Sequence, residues 1–332
     1  MSILSVGDLA QSYTLTRSAS TMKTDILRLS TELTTGVTED TSAHLAGDFG
    51  PLAGIDASLA QLKGYAAVTA ESGLFTEAMQ AALGRVTDMT ADLGQSLLGG
   101  ATTSTPARIS ALGADAGQKF ETAVAALNMR VGDRSLFGGM ATSATPLPTG
   151  AALLDRLQSL TAALQSPADV ETALDAWFSA PDGFAAAYRG GPALEGLAIA
   201  QGEVARADIT AADPAIRDSL KGLAMAALLD RGLLSARPEG RADIVRRAGE
   251  VLVTSQTGLA TLTARLGSAQ AQIDMAAQRN TAEASALRIA RSEMLSVDGY
   301  EVASRLQETQ TQLETLFALT SRMSRLSLAN FL

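Results

Sequence analysis

A chain of 332 residues is long enough for two or three domains. Its hydrophobic content is 46% but its aromatic content only 4%, so the apolar mass is mostly Ala, Leu and Val, which favours slender, closely packed helices. A net charge of −9 argues against a broad nucleic-acid-binding surface, and the absence of cysteine excludes a disulfide framework or a thiolate metal site.

The opening "MSILSVGDLAQSYTLTR" has neither the basic start nor the apolar run of a secretory signal. The most apolar later stretch, 222–234, is interrupted by Asp230 and Arg231. It is shorter than the roughly 20 residues a membrane span needs, so no span is expected. Proline occurs at 51 and 106, seven times between 146 and 238, and nowhere else. Because proline breaks helix interiors, both ends are free to be long helices and the middle is punctuated.

In chain order, Leu15, Ala19, Met22, Ile26, Leu29 and Leu33 come first, at alternating steps of four and three. That is the a/d seam of a coiled-coil helix. Asp25, Arg28 and Glu32 fall off the seam and are expected in solvent, and Gly36 is expected to end the helix. A second helix is predicted over 55–98, with Met79, Leu83, Val86, Thr90, Leu93 and Leu97 on one face. Gly99-Gly100 and Thr102-Thr103-Ser104 then read as a turn. Pro106 opens a third helix over 107–129, with Ile109, Leu112, Ala116, Phe120, Ala123 and Leu127 on one face. Residues 131–150 read as a Gly/Pro-rich loop.

The segment 146–240 mixes short helices at 151–164, 170–178 and 214–232 with one hairpin, Leu197–Ala200 against 204–207 around Gln201-Gly202-Glu203. The longest helix is predicted over 241–297, roughly 85 Å at about 1.5 Å per residue. Its stripe runs through Leu252, Leu259, Leu266, Ile273, Asn280, Glu283, Leu287 and Val297. At Ser296-Val297-Asp298-Gly299 the phase slips, which reads as a hinge or an offset. A last helix follows with Val302, Leu306, Thr309, Leu313, Leu316, Thr320 and Met323 in a new seam. Its early Glu301 and Glu308 and late Arg322 and Arg325 suit the helix dipole.

The expected fold is mainly α: an elongated, hairpin-like chain with antiparallel terminal coiled-coil helices, a long helical bundle and a small mixed helix/strand tip domain. The expected divisions are 1–36 pairing with 300–332, a bundle of 37–145 with 241–299, and a variable tip of 146–240. A two-helix pair buries little area and is barely stable alone. The terminal helices therefore have the character of segments ordered by neighbouring subunits.

Chemistry is hard to find. His44 is the one histidine, whereas metal ligands come in groups, and no phosphate-binding, GxSxG or HExxH motif occurs. Trp177-Phe178 is the densest aromatic spot and reads as a core anchor rather than a ligand platform. No cofactor and no metal are expected, and an enzyme is not supported.

Four stretches carry a resemblance: "LRLSTELTTGV", "LNMRVGDRSLFGG", "ARLGSAQAQID" and "SVDGYEVASRLQETQTQLETLFALTSRMSRLSLANFL". Together, in this order, they resemble the flagellin family of bacterial flagella, and within it the hook-associated proteins of the hook–filament junction. The Ser-Leu-x-Asn-Phe-Leu ending is more typical of junction proteins than of filament flagellins. One departure is "VTEDTSAHLAGDFGPLAGID" after Gly36, longer than the family's usual loop and containing a proline.

The resemblance implies an extracellular structural subunit, exported unfolded after a transient cytoplasmic stage and assembled between hook and filament. Its partners would be further copies of itself in a ring or helical assembly, the proximal hook-associated junction protein, flagellin, and a cytoplasmic export chaperone. No nucleic acid is expected as a partner. The assembly interface is expected on Leu15, Met22, Ile26, Leu29 and Leu33 of the first helix. On the last it comprises Val302, Leu306, Leu313, Leu316 and Met323, and the final Leu326, Leu328, Phe331 and Leu332. The alternatives are a filament flagellin and a cytoplasmic coiled-coil scaffold or signalling protein.

Overall fold

The computed structural model describes residues 6–101 and 105–329. The described residues form ten helices and two two-stranded hairpins, and most of them are helical, so the fold is mainly α. They form two compact units: Met1–Leu62 with Ala282–Leu332, and Lys63–Thr281.

The second unit holds the main core. Its elements are the larger part of α3 (Gly50–Ala101), α4 (Pro106–Leu127), α5 (Gly150–Thr161), α6 (Pro167–Ser179), α7 (Phe184–Ala187), α8 (Pro214–Ala227) and most of α9 (Pro238–Leu295). Prolines at 106, 167 and 214 each occupy the first turn of a helix, directly after a capping Thr105, Ser166 or Asp213. The missing proline N–H costs nothing there, because the first-turn amides have no intrahelical partner. Of the seven prolines of the middle segment that looked like interruptions, three, at 167, 214 and 238, are helix starts.

Met79, Leu83, Leu93, Phe120, Leu127 and Phe184 are all but inaccessible within one continuous core. α8 packs along α4, and nine of its residues are buried, so it sits inside that core. Close approach sets the residue choice at the crossings. A Cβ at Gly113 of α4 would stand 2.6 Å from the backbone nitrogen of Asp230, which only glycine permits. Trp177, Phe178 and Phe184 pack with ring centroids 4.9 to 5.9 Å apart, a core anchor as the sequence indicated.

Several expectations are corrected. Gly99 and Gly100 belong to the last helical turn of α3, not to a turn between helices; a Cβ at Gly100 would lie 2.9 Å from Leu112 Cδ1. The glycine there admits α4 rather than breaking α3. Thr102-Thr103-Ser104 lies outside the described residues. Within the supposed loop 131–150, β1 (Arg130–Val131) and β2 (Arg134–Ser135) form a tight antiparallel hairpin, with Gly132 at φ +56 in the turn. Gly-Asp between strands is a hairpin signal that two-residue strands are too short to announce. α8 stops at Ala227, five residues early, and Gly232 at φ +90 turns the chain. The second hairpin pairs β3 (Leu197–Ala200) with β4 (Glu203–Ala205), a tighter loop than expected.

On α9 the buried stripe runs as expected from Leu252 to Asn280, then departs: Glu283 is exposed and Ala284 is covered. A straight helix drifts relative to a strict seven-residue repeat, and an unpaired carboxylate resists burial.

The first unit contains α1 (Val6–Thr35), α2 (Thr41–His44), the start of α3, the end of α9 and α10 (Gly299–Ala329). α1 and α10 pack together. Their direction is antiparallel, because Val37 pairs with Ser296, Lys23 lies against Phe317 and Gln11 reaches Met323.

Candidate functional site

The candidate site is the paired terminal helices of the first unit. α1 ends where Gly36 takes φ +70 and its N–H donates to Glu32 O at 2.8 Å. The chain then crosses the start of α10. Thr38 N donates to Leu295 O at 3.0 Å, and Val297 N donates to Gly36 O at 3.1 Å. The phase slip at 296–299 is thus a break between two helices. Asp298 caps the second, its Oδ1 accepting from Tyr300 N at 2.8 Å and from Glu301 N at 3.3 Å.

Glu32, expected in solvent, is 3% exposed. The loop after Gly36 folds over it: Oε1 accepts from Glu39 N at 3.0 Å, Thr38 Oγ1 at 3.5 Å and Arg28 Nη1 at 3.1 Å. Burial alone would lower the Arg28 pKa, but the hydrogen bonds and charges of Glu32 and Asp25 outweigh it and raise the value. A buried carboxylate with charge-assisted partners fixes local geometry. The sequence carried one signal for it, the Arg28/Glu32 spacing of four. His44 has a structural task in the same joint: its Nε2 lies 3.1 Å from Met294 O, so that nitrogen carries the proton and donates.

Along the helices, Leu29 and Val302 are buried. Leu15, Met22, Ile26, Leu306, Leu313 and Leu316 are only half-buried. Leu33 remains 41% exposed and Met323 39%, although both sit on the seam. Leu326 and Leu328 fall in α10, but their side chains, and all of Phe331 and Leu332, lie outside the described residues. Sequence reasoning missed a further apolar set on these helices: Tyr13 and Leu27 at 69% and 70% exposure, and Phe317 and Leu319 at 49% and 52%. Nothing in a/d spacing marks them, because they stand off the seam.

A groove of about 660 Å³ opens beside the pair, lined by Leu15, Gln307, Thr311, Leu316 and Leu319 among others. Its walls are apolar and neutral polar apart from Glu308, which suits helix packing better than chemistry on a small molecule. Among the described residues, no group of three or more His, Asp or Glu side chains is placed to hold a metal ion. None of the described helices is long and apolar enough to cross a membrane.

Residues 251–332 match the family described as the bacterial flagellin C-terminal helical region. Over these residues the chain is flagellin-like. The match takes in most of α9 and all of α10, the helix that supplies one side of the terminal pair. A solved structure from Vibrio parahaemolyticus, described as a flagellar hook-associated protein, shares the fold. The TM-score is 0.50 at 14% identity, over 73% of this chain and 95% of that one. No curated protein sequence matches.

Proposed function

We propose that this chain is a structural subunit of the bacterial flagellum that joins the hook to the filament. The observation that carries the reading is the flagellin-like stretch 251–332, whose α10 pairs with α1 yet leaves its apolar seam half covered. Helices with an incompletely buried stripe are marginal alone and are completed by neighbours. Head-to-tail contacts of one subunit on the next generate helical assemblies. The interface would use Leu15, Met22, Ile26, Leu29 and Leu33 with Val302, Leu306, Leu313, Leu316 and Met323, and the final Leu326, Leu328, Phe331 and Leu332. The partners in this reading are further copies of the chain, the proximal hook-associated protein and flagellin, with an export chaperone beforehand. The variable segment 146–240 joins the bundle of 37–145 and 241–299 through α8, which packs on α4.

Immunogold labelling of isolated hook–basal bodies tests the location, and gene deletion tests the role. The reading expects label at the distal end of the hook, and flagellin shed into the medium by the deletion strain. The flagellin-type match at the C-terminal region favours filament flagellin as the second reading. Label along the whole filament, or loss of the major filament subunit on deletion, would establish that reading instead.

A further inference from the structure

The β3–β4 hairpin is attached to the second unit through a small cluster of its own. Ile199 and Ala205 of the hairpin meet Ile273 and Ala276 of α9 in a cluster of four buried residues, separate from the main core. Four side chains, two of them alanine, remove little apolar area from water, and stabilisation scales with that area. A two-stranded hairpin has little stability of its own.

One buried polar contact supplements the cluster. Asn280, 4% exposed, donates from Nδ2 to Ile199 O at 2.8 Å. Both groups are withdrawn from water, so each depends on the other. Exposed ion pairs add to it, Arg279 with Glu203 in the hairpin and Arg265 with Asp208 just beyond β4, where Ala207 and Ile209 rejoin the main core. Such pairs hold weakly in water. On the other side the strap runs past α3, where Leu194, Leu197 and Ala207 with Val68, Phe75 and Arg134 enclose a crevice of about 100 Å³. Contact there is incomplete.

We propose that the β3–β4 hairpin is a latch that opens as a local unit while the α4–α8 core stays closed, and that Asn280 is its positioning residue. Opening bares Ile273 and Ala276 on α9, inside the flagellin-like stretch, without unfolding the helix. A β-ladder slips easily where its side chains are small, and the pairing already carries an irregularity between Ala198 and Ala200. The Asn280 amide reads one backbone carbonyl and so selects one register. The latch is a property of the second unit and does not depend on the flagellar reading.

Hydrogen exchange on the full-length chain, resolved to peptides, tests this. In the unaltered protein the β3–β4 amides should exchange at least tenfold faster than those of α4 and α8. Asn280→Ala should speed hairpin exchange by roughly tenfold or more, from loss of a buried hydrogen bond, and leave α4 and α8 unchanged. Asn280→Asp, which keeps the shape but cannot donate, should behave like the alanine variant. Arg279→Ala, which removes an exposed pair, should change exchange less than about threefold. Hairpin amides that exchange in step with α4 and α8 would overturn the proposal. So would an Asn280→Ala effect spread evenly over the whole unit, or an Asn280→Asp variant indistinguishable from the unaltered protein.

Discussion

The terminal helices and the α4–α8 core use the same alternating three-and-four spacing, yet they bury it very differently. Ile109, Ala116, Phe120, Ala123 and Leu127 of α4 are at most 3% exposed. Their counterparts Leu15, Met22, Ile26, Leu306, Leu313 and Leu316 are half-buried. Spacing sets which face of a helix is apolar; the number of helices packed on that face sets how far it leaves water. α4 has α8 and α5 against it, whereas α1 and α10 have chiefly each other. Among the described residues, nine of the fifteen large exposed apolar side chains fall in the first unit, which holds only about a third of the chain. An apolar surplus concentrated in one region is the pattern expected of an interaction surface.

The contrast is sharpest under substitution. Phe120→Ala empties a site that is 1% exposed and should cost about 3–5 kcal/mol, read as a fall in the urea midpoint. A cost below about 1 kcal/mol would mean that the α4 core collapses freely. Next, Gly113→Val drives a side chain into the backbone of Asp230 and should cost at least about 1–3 kcal/mol. Gly117→Ala, with open space around its Cβ, should instead be neutral or stabilising by up to about 1 kcal/mol. Equal losses at the two glycines would contradict the assigned helix crossing.

In the first unit, Glu32→Ala should cost about 1–3 kcal/mol and loosen the end of α1, read by local hydrogen exchange. Glu283→Ala, on an exposed site, should stay within about 0.5 kcal/mol. Ile26→Ala with Leu316→Ala should disturb the second unit not at all, while reducing co-sedimentation with preformed filaments severalfold. Normal assembly by that double variant would remove the seam from the interface.

The smallest effect is the acid response of Asp243. Burial would raise its pKa, but hydrogen bonds from Arg247 and Arg246 and their charges outweigh it, leaving the folded value below the ordinary one. Its contribution is therefore present above the unfolded pKa, about 4, and is lost as pH falls through the folded value. Asp243→Asn should flatten that part of the pH–stability curve and lose this contribution at pH 7.

What the sequence made legible followed from periodicity. α1, α4, α9 and α10 and the stripe from Leu252 to Asn280 were readable because apolar spacing repeats over many turns. Glu32 was not, because its burial comes from residues 38 and 39 folding back, a tertiary event that helix spacing does not encode. Gly100 misled for the opposite reason: close helix approach and chain turning both select glycine. Of the proposed interface, the seam could be read from spacing, whereas Tyr13, Leu27, Phe317 and Leu319 lie outside it and became visible only by their exposure.

The most direct test of the account is hydrogen exchange on the dilute chain and on the same chain incorporated into filaments. The account predicts that α1 and α10 exchange much faster than α4 and α8 when dilute, and become protected on assembly with little change in α4 and α8. Terminal helices already as protected as the core in the dilute chain, or unchanged on assembly, would contradict it.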